Sequence, residues 1–349
     1  MRNSLRYLLL PFSVLYGLIV WVRNRLYDAG ILSSQSFSTP TIVIGNLAVG
    51  GTGKSPMTEF VASLLSKQYK IAILSRGYGR STRGFFEVTV SSSAREVGDE
   101  PLQFKNKFPD ITVAVCEDRC KGIKKLEKDH EVIILDDAYQ HRRLSALFHI
   151  LLFDFQSFEQ PMFVFPAGNF RDLLLEAKRA QIIAITKCPL FLPIEAKMRI
   201  ERKIRQYNKK ALLVFTHINY FDPIDRKGRH VSLQDKHIVL VTGIAKPQPL
   251  IDYVSRRANI VTHVSFTDHH QFNMSDIDHI LTSYQSISYP KKLILTTEKD
   301  YQRLKPFIQH FTGVELAYLP IGLQFNDAVQ RQLFSSALNQ ILTSSVNQH

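Results

Sequence analysis

Eight consecutive residues, Ala48-Val49-Gly50-Gly51-Thr52-Gly53-Lys54-Ser55, join a flexible backbone to one ammonium and one hydroxyl. Glycines let backbone N–H groups curl around phosphate oxygens without Cβ clashes. Lys54 would bridge the outer phosphates of a nucleotide, and the Ser55 hydroxyl would ligate Mg²⁺. The pattern is that of a P-loop with Ala48 in place of the first glycine. Such a site also needs a carboxylate at the end of a buried strand. Val132-Ile133-Ile134-Leu135-Asp136-Asp137 supplies two. Successive side chains of an extended chain point to opposite sides, so the two aspartates should have different jobs. Asp136 is expected in the metal shell and Asp137 in a polar contact nearby; a pair of loop-capping aspartates is the competing reading. ATP and Mg²⁺ are the cofactors this chemistry calls for.

These groups need elements that bring them to one edge of a sheet. The apolar run Thr41–Gly45 precedes the loop and an amphipathic helix, Ser55–Lys67, follows it, adding its dipole to the phosphate site. Other strand-like runs are Lys70–Ser75, Phe85–Val90, Thr112–Val115, Val132–Asp136, His149–Phe153, Gln181–Thr186 and Ala211–Phe215. Several are continuously apolar and β-branched, as strands buried on both faces should be. Helical patterns cover Arg119–Lys128 and Pro193–Tyr207. The alternation implies an α/β, P-loop NTPase-type fold: a mostly parallel sheet with helices on both faces. Asn219–Asp235 is polar and turn-rich and reads as a connection. A smaller series follows, with strands His237–Thr242, Ile260–Phe266, Lys292–Thr297 and Glu315–Leu319. Its helices are Pro247–Arg257, Ser275–Ser286 and Asp327–Leu342. The expected organisation is a membrane-associating segment over 1–27, a P-loop domain over 28–220, a linker over 221–235 and a smaller α/β domain over 236–349.

The chain has 349 residues, 45% of them hydrophobic, so wholesale disorder and a fibrous build are excluded. Three cysteines are too few for a disulfide framework. The net charge of +13 calls for a polyanion: nucleic acid, an anionic membrane or a phosphorylated substrate. No groove-reading helix or stacking motif is apparent, so no nucleic acid is expected. Between Tyr7 and Val22 only Ser13 and Gly17 are not apolar, and Arg2, Arg6, Arg23 and Arg25 flank the run. At about 1.5 Å per residue it spans roughly 24 Å, short of the ~30 Å hydrocarbon core. The residues after it do not suit signal cleavage. An interfacial or half-inserted anchor on an anionic surface fits best; a spanning helix and a buried core helix are the alternatives. The basic stretch Lys197–Lys210 reads as a solvated helix face.

Further motifs occur in order: Gly45-Asn46-Leu47, Ser75-Arg76-Gly77-Tyr78-Gly79, Gly98-Asp99-Glu100-Pro101 and Asp136-Asp137-Ala138-Tyr139-Gln140-His141. Pro166-Ala167-Gly168 with Arg171-Asp172, Phe266-Thr267-Asp268-His269-His270 and Thr297-Glu298-Lys299-Asp300 complete the set. With these motifs the chain resembles the tetraacyldisaccharide 4'-kinase (lipid A 4'-kinase) family over nearly its whole length. The resemblance implies phosphoryl transfer from ATP, with Mg²⁺, to the 4'-hydroxyl of a lipid disaccharide 1-phosphate. It also implies a cytoplasmic-face inner-membrane enzyme. There are departures: Ala138-Tyr139 stands where the family has Gly-Leu or Gly-Phe, and Phe170-Arg171-Asp172 where it has Leu-Arg-Glu. The alternative is a membrane-associated P-loop ATPase acting as a switch. Such ATPases begin the loop with Lys-Gly-Gly, and Val49 replaces that lysine here.

A sugar hydroxyl needs a base within hydrogen-bond reach. The resemblance assigns that work to Asp99 and His269, a carboxylate to take the proton and an imidazole to orient and tune it. Lying in different halves of the chain, they would meet only with the domains face to face. Glu100 is a candidate for the metal environment or for ordering the loop, and Asp268, His270 and His141 are alternatives for the acceptor chemistry. Arg76, Arg119 and Arg171 are candidate phosphate partners, because a guanidinium binds phosphate oxygens bidentately. Asp137, Gln140 and Asp172 are expected to support the site, and Glu298-Lys299-Asp300 to stabilise the scaffold.

Overall fold

The computed structural model describes residues 4–268 and 270–346. Its strands are β1 (Thr41–Asn46), β2 (Ile71–Ser75), β3 (Phe86–Val88), β4 (Thr112–Val115), β5 (Val132–Asp136), β6 (Phe148–Asp154), β7 (Ile182–Thr186) and β8 (Leu212–Tyr220). They continue with β9 (Ile224–Asp225), β10 (His237–Thr242), β11 (Asn259–Ser265), β12 (Lys292–Thr297), β13 (Leu316–Leu319) and β14 (Ile321–Phe325). Nine form one sheet in the order β14-β8-β7-β6-β1-β5-β2-β4-β3. Only its two edge strands, β3 and β14, run antiparallel to their neighbours. The apolar strands β1, β2, β5 and β7 are buried along their whole length.

Helices cover both faces of this sheet, as the strand–helix alternation predicts. Cys120, Ile123, Ile200 and Ile204, from the Arg119–Leu126 and Ile194–Arg205 helices, seal one face. Met57, Val61, Leu102, Phe334 and Leu338 seal the other. The last two belong to the helix Ala328–Val346.

The second sheet has the order β11-β10-β12-β13-β9 and is parallel except for β9. Two features depart from the expected organisation. The 221–235 stretch is no linker but part of this sheet: Ile224 and Asp225 pair with β13, and Leu233 is buried in its core. The 236–349 stretch is divided and not one unit, because β14 pairs with β8 and the last helix packs on the large sheet. The second sheet is thus inserted between β8 and β14. Its two crossings run side by side, with the Phe221 N–H donating to the Pro320 carbonyl at 3.0 Å.

The helix Leu10–Asp28 lies against the loop 164–173. Its inner seam is polar: Ser13 Oγ donates to the Val164 carbonyl at 3.0 Å and accepts from the Ala167 N–H at 2.9 Å. Tyr16 Oη donates to the Arg171 carbonyl at 3.0 Å. Its outer side exposes Phe12, Val14, Leu15, Leu18, Ile19 and Trp21. Such a helix is no core helix, since only Ser13, Val20 and Asn24 are buried. Among the described residues, no helix is long and apolar enough to cross a membrane.

Candidate active site

The loop leaves β1 and turns into the helix Lys54–Leu65 through Gly53, whose φ of 79° lies in the left-handed region that glycine tolerates. The loop's other side is pinned by the 164–173 segment. The Val49 N–H donates to the Asn169 carbonyl at 2.8 Å, and the Arg171 N–H to the Leu47 carbonyl at 2.8 Å. That segment makes a tight reversal at Gly168, where a Cβ would fall 1.9 Å from the Phe163 carbonyl oxygen. Only glycine fits there, which accounts for the glycine of the Pro-Ala-Gly motif.

At the ends of β1 and β5 the polar groups sort by direction. Asp136 is fully buried and accepts from Thr58 Oγ1 and Ser75 Oγ, each at 3.2 Å. Asp137 turns outward with a φ of 47° and pairs with Arg171, while Lys54 Nζ stands 3.9 Å from its Oδ1. Arg171 also donates to Asn46 Oδ1 at 2.7 Å, and Gln140 Nε2 donates to the Asn46 carbonyl at 2.7 Å. Asn46 Nδ2 donates to Thr52 Oγ1 at 2.6 Å, so this network braces the loop.

Asp99 and Glu100 begin the helix Asp99–Lys107. Glu100 Oε1 accepts from Ser55 Oγ at 2.8 Å and from Lys299 Nζ at 2.5 Å. Asp99 is buried and pairs with Arg303, whose Nε donates to Asp99 Oδ2 at 3.2 Å. Arg303 is held in turn by Asp300 Oδ1 at 2.9 Å and the Gly243 carbonyl at 3.2 Å. Lys299 and Arg303 belong to the helix Glu298–Leu304, which follows β12 of the second sheet. Lys246 extends this seam, donating to Gln156 Oε1 at 3.0 Å.

The electrostatics separate the carboxylates. Burial alone would push the Glu100 carboxyl up, but the Lys299 ammonium, then Lys54 and the Ser55 hydroxyl, hold it at about 2. Burial, then the charges of Glu100 and Asp137, push Asp136 up to about 7. Glu298 is raised to about 7 by burial and then by the charge of Glu59, with Lys107 3.8 Å away opposing. A carboxyl whose folded pKa exceeds its unfolded value binds more protons when folded, so its penalty grows as pH rises from about 4.5 to about 7. Glu298→Gln is therefore expected to raise the melting temperature at pH 8 and leave it nearly unchanged at pH 4.5. Equal shifts at both pH values would refute this assignment.

Several expected residues lie elsewhere. His269 is outside the described residues. His270 is engaged in its own loop, with Nε2 2.9 Å from Asp276 Oδ2 and its ring stacked on Phe266. Asp172 faces away from the loop. It accepts from Asn24 Nδ2 at 2.8 Å, with Arg23 3.5 Å off. Arg119 is buried and donates to the carbonyls of Cys116, Asp136 and Asp137, so it holds backbone rather than phosphate. Arg76 is exposed beside Arg119 and His141. Asp118, Cys120 and His141 converge within 4.8 Å, but Arg119, Arg143 and Arg76 surround His141 with positive charge that opposes a cation. Sequence reasoning missed Lys299 and Arg303 as site residues. The Thr-Glu-Lys-Asp motif was visible, but nothing local to it points to residues about two hundred positions earlier.

A family model for tetraacyldisaccharide-1-P 4'-kinase, LpxK, matches residues 5–339. The chain belongs to the tetraacyldisaccharide 4'-kinase family. It is 42% identical over 329 residues to the tetraacyldisaccharide 4'-kinase of Flavobacterium johnsoniae, covering 93% of this chain and 94% of that relative. It is 41% identical over 342 residues to the enzyme of the same name from Phocaeicola vulgatus, covering 94% and 93%. A crystal structure of LpxK from Aquifex aeolicus in complex with ATP superposes with a TM-score of 0.73 at 27% identity, covering 97% of this chain and 99% of that one. As a tetraacyldisaccharide 4'-kinase, the chain has its P-loop and its two carboxylates at the seam between the sheets.

Proposed function

We propose that the chain transfers the γ-phosphoryl group of ATP to the 4'-hydroxyl of tetraacyldisaccharide 1-phosphate, with Asp99 as the group that takes the hydroxyl proton. The observation that carries this reading is the placement of Asp99 and Glu100 at one helix start. Glu100 takes the P-loop hydroxyl of Ser55, and Asp99 faces the second sheet through Arg303. Neighbours on a helix diverge by about 100°, so one turn serves the phosphate donor and the acceptor at once.

The loop N–H groups of Gly50 to Gly53 and the Lys54 ammonium would cradle the outer phosphates, the Val49 N–H being held by the Asn169 carbonyl and Lys54 exchanging Asp137 for the phosphate oxygens. The residues present fit Mg²⁺. Ser55 Oγ and Glu100 Oε1 already converge, and the Lys299 ammonium already places positive charge on Glu100. Ser55 and Glu100 would hold the ion, with Asp136 behind them. When bound, it would neutralise charge on the phosphates. The proton of the 4'-hydroxyl passes to Asp99, with His269 orienting it as the family resemblance implies. The freed oxygen attacks the γ-phosphorus as the bond to the bridging oxygen of ADP breaks. Arg171 would lie against the transferred group, with Gln140 and Asp137 fixing its position. Arg76 is a candidate for the substrate's 1-phosphate, and Asp172 supports the site by fastening the N-terminal helix.

The Leu10–Asp28 helix would lie in the anionic cytoplasmic leaflet of the inner membrane, its apolar side among acyl chains and Arg6, Arg23 and Arg25 at headgroups. In this reading the P-loop domain spans 28–220 and is completed by 321–346, and the smaller domain is the insertion between them. The test is transfer of label from γ-labelled ATP to the purified disaccharide 1-phosphate by the full-length protein. Absence of labelled lipid, under conditions where nucleotide binds, would overturn the reading.

A further inference from the structure

The loop after β7 and the helix that follows it leave a second apolar surface uncovered. Leu190 and Phe191 stand between Pro189 and Pro193, and Phe191 is 86% exposed. Ile194 and Met198 follow, one helical turn apart and both exposed, while Ile200 and Ile204 face the core. Single exposed apolar side chains are ordinary, but a run of four is not. Between 197 and 210 lie seven lysines and arginines, against Glu195 and Glu201 nearby. A solvated face explains the cations and leaves Leu190, Phe191, Ile194 and Met198 without a reason.

We infer that this surface is a second membrane contact, with these four side chains in the headgroup–acyl boundary and Arg199 and Arg202 at lipid phosphates. The inference rests on the membrane placement of the N-terminal helix. Charge selects the occupant: a basic excess around an apolar patch suits an anionic bilayer. Continuity supports it. Arg199 Nη2 pairs with Glu159 Oε1 at 2.5 Å, and the Lys203 ammonium stands over the Phe158 ring. Four residues after Glu159, the Phe163 ring meets Tyr7, just ahead of the Leu10–Asp28 helix, at 6.2 Å. Four residues span at most about 14 Å, so the two surfaces border one stretch of chain. A single helix lets the protein roll about its axis; a second contact fixes which way the cleft faces.

The chain's one tryptophan, Trp21, sits on the anchor helix and reports on it alone. The full-length Trp21→Phe/Phe191→Trp variant moves the reporter to the second surface. Vesicles of phosphatidylethanolamine and phosphatidylglycerol, with and without brominated acyl chains, are then added to each protein. The expected result is a blue shift and bromine quenching for both reporters. A second variant, Phe191→Ser/Ile194→Ser, is expected to lower vesicle partitioning roughly tenfold with nucleotide binding unchanged. Quenching of Trp21 without quenching of the Phe191→Trp reporter would overturn the inference and leave the anchor standing. No quenching of either would overturn both. A reporter already blue-shifted without vesicles, in a protein that sediments as a dimer, would overturn it in favour of a second copy of the chain.

Discussion

Asp99→Asn should lower turnover by about 10²–10⁴-fold, the range that a positioned base contributes, with nucleotide affinity largely kept. The reason is geometric. Asp99 faces the second sheet through Arg303, whereas the contacts to Ser55 belong to Glu100. The amide keeps the shape of the carboxylate but cannot take a proton. It also takes one carboxylate from Arg303, which is buried, while the pair with Asp300 is kept. Removing one partner of a buried pair costs about 3–5 kcal/mol, so the melting temperature should fall as well. Titration with a fluorescent nucleotide separates the two effects. Near-normal nucleotide binding with lost transfer supports the base role, and wild-type turnover would remove Asp99 from it.

Lys54→Met should act on the other half of the reaction. Loss of one charge-stabilising group at a developing anion typically costs about 10²–10³-fold in kcat. Lys54 is the cation at the start of the Lys54–Leu65 helix, 3.9 Å from Asp137. Its loss should also weaken nucleotide binding, so KM for ATP rises while kcat falls. Without Lys54, Asp137 keeps Arg171, so the fold around the loop should survive. A variant with unchanged kcat would show that Lys54 serves binding only.

What could be read beforehand was local. The P-loop, its flanking strand and helix, and the aspartates ending β5 are contiguous stretches whose periodicity and residue types declare themselves. Strand alternation leads one to expect opposite facing of Asp136 and Asp137, but β5 ends at Asp136 and the left-handed φ of 47° at Asp137 is what turns it outward. Arg171 and Asp172 lie in a bend, where no period-two rule holds, so the facing of Asp172 toward the N-terminal helix has no local sign. The pairs Glu100–Lys299 and Asp99–Arg303 span about two hundred residues, and no pattern within either segment specifies the other. Strand β14 was missed because Ile321–Phe325 mixes glycine and glutamine with apolar residues and follows Pro320. Its pairing with β8 makes it an edge strand, and that is tertiary information. His269 lies outside the described residues, so its part rests on the motif.

The double crossing between the sheets has a mechanical consequence. Tyr220 pairs with Ile321, and the Phe221 N–H reaches the Pro320 carbonyl, so the insertion hangs from a two-stranded ribbon rather than a single tether. A single tether would allow swivelling in every direction. A ribbon resists twisting and sliding and bends about one line. Any gap that admits a nucleotide must then open like a book along that spine. Lys299 and Arg303 would lift together from Glu100 and Asp99, and each would return to the carboxylate it left.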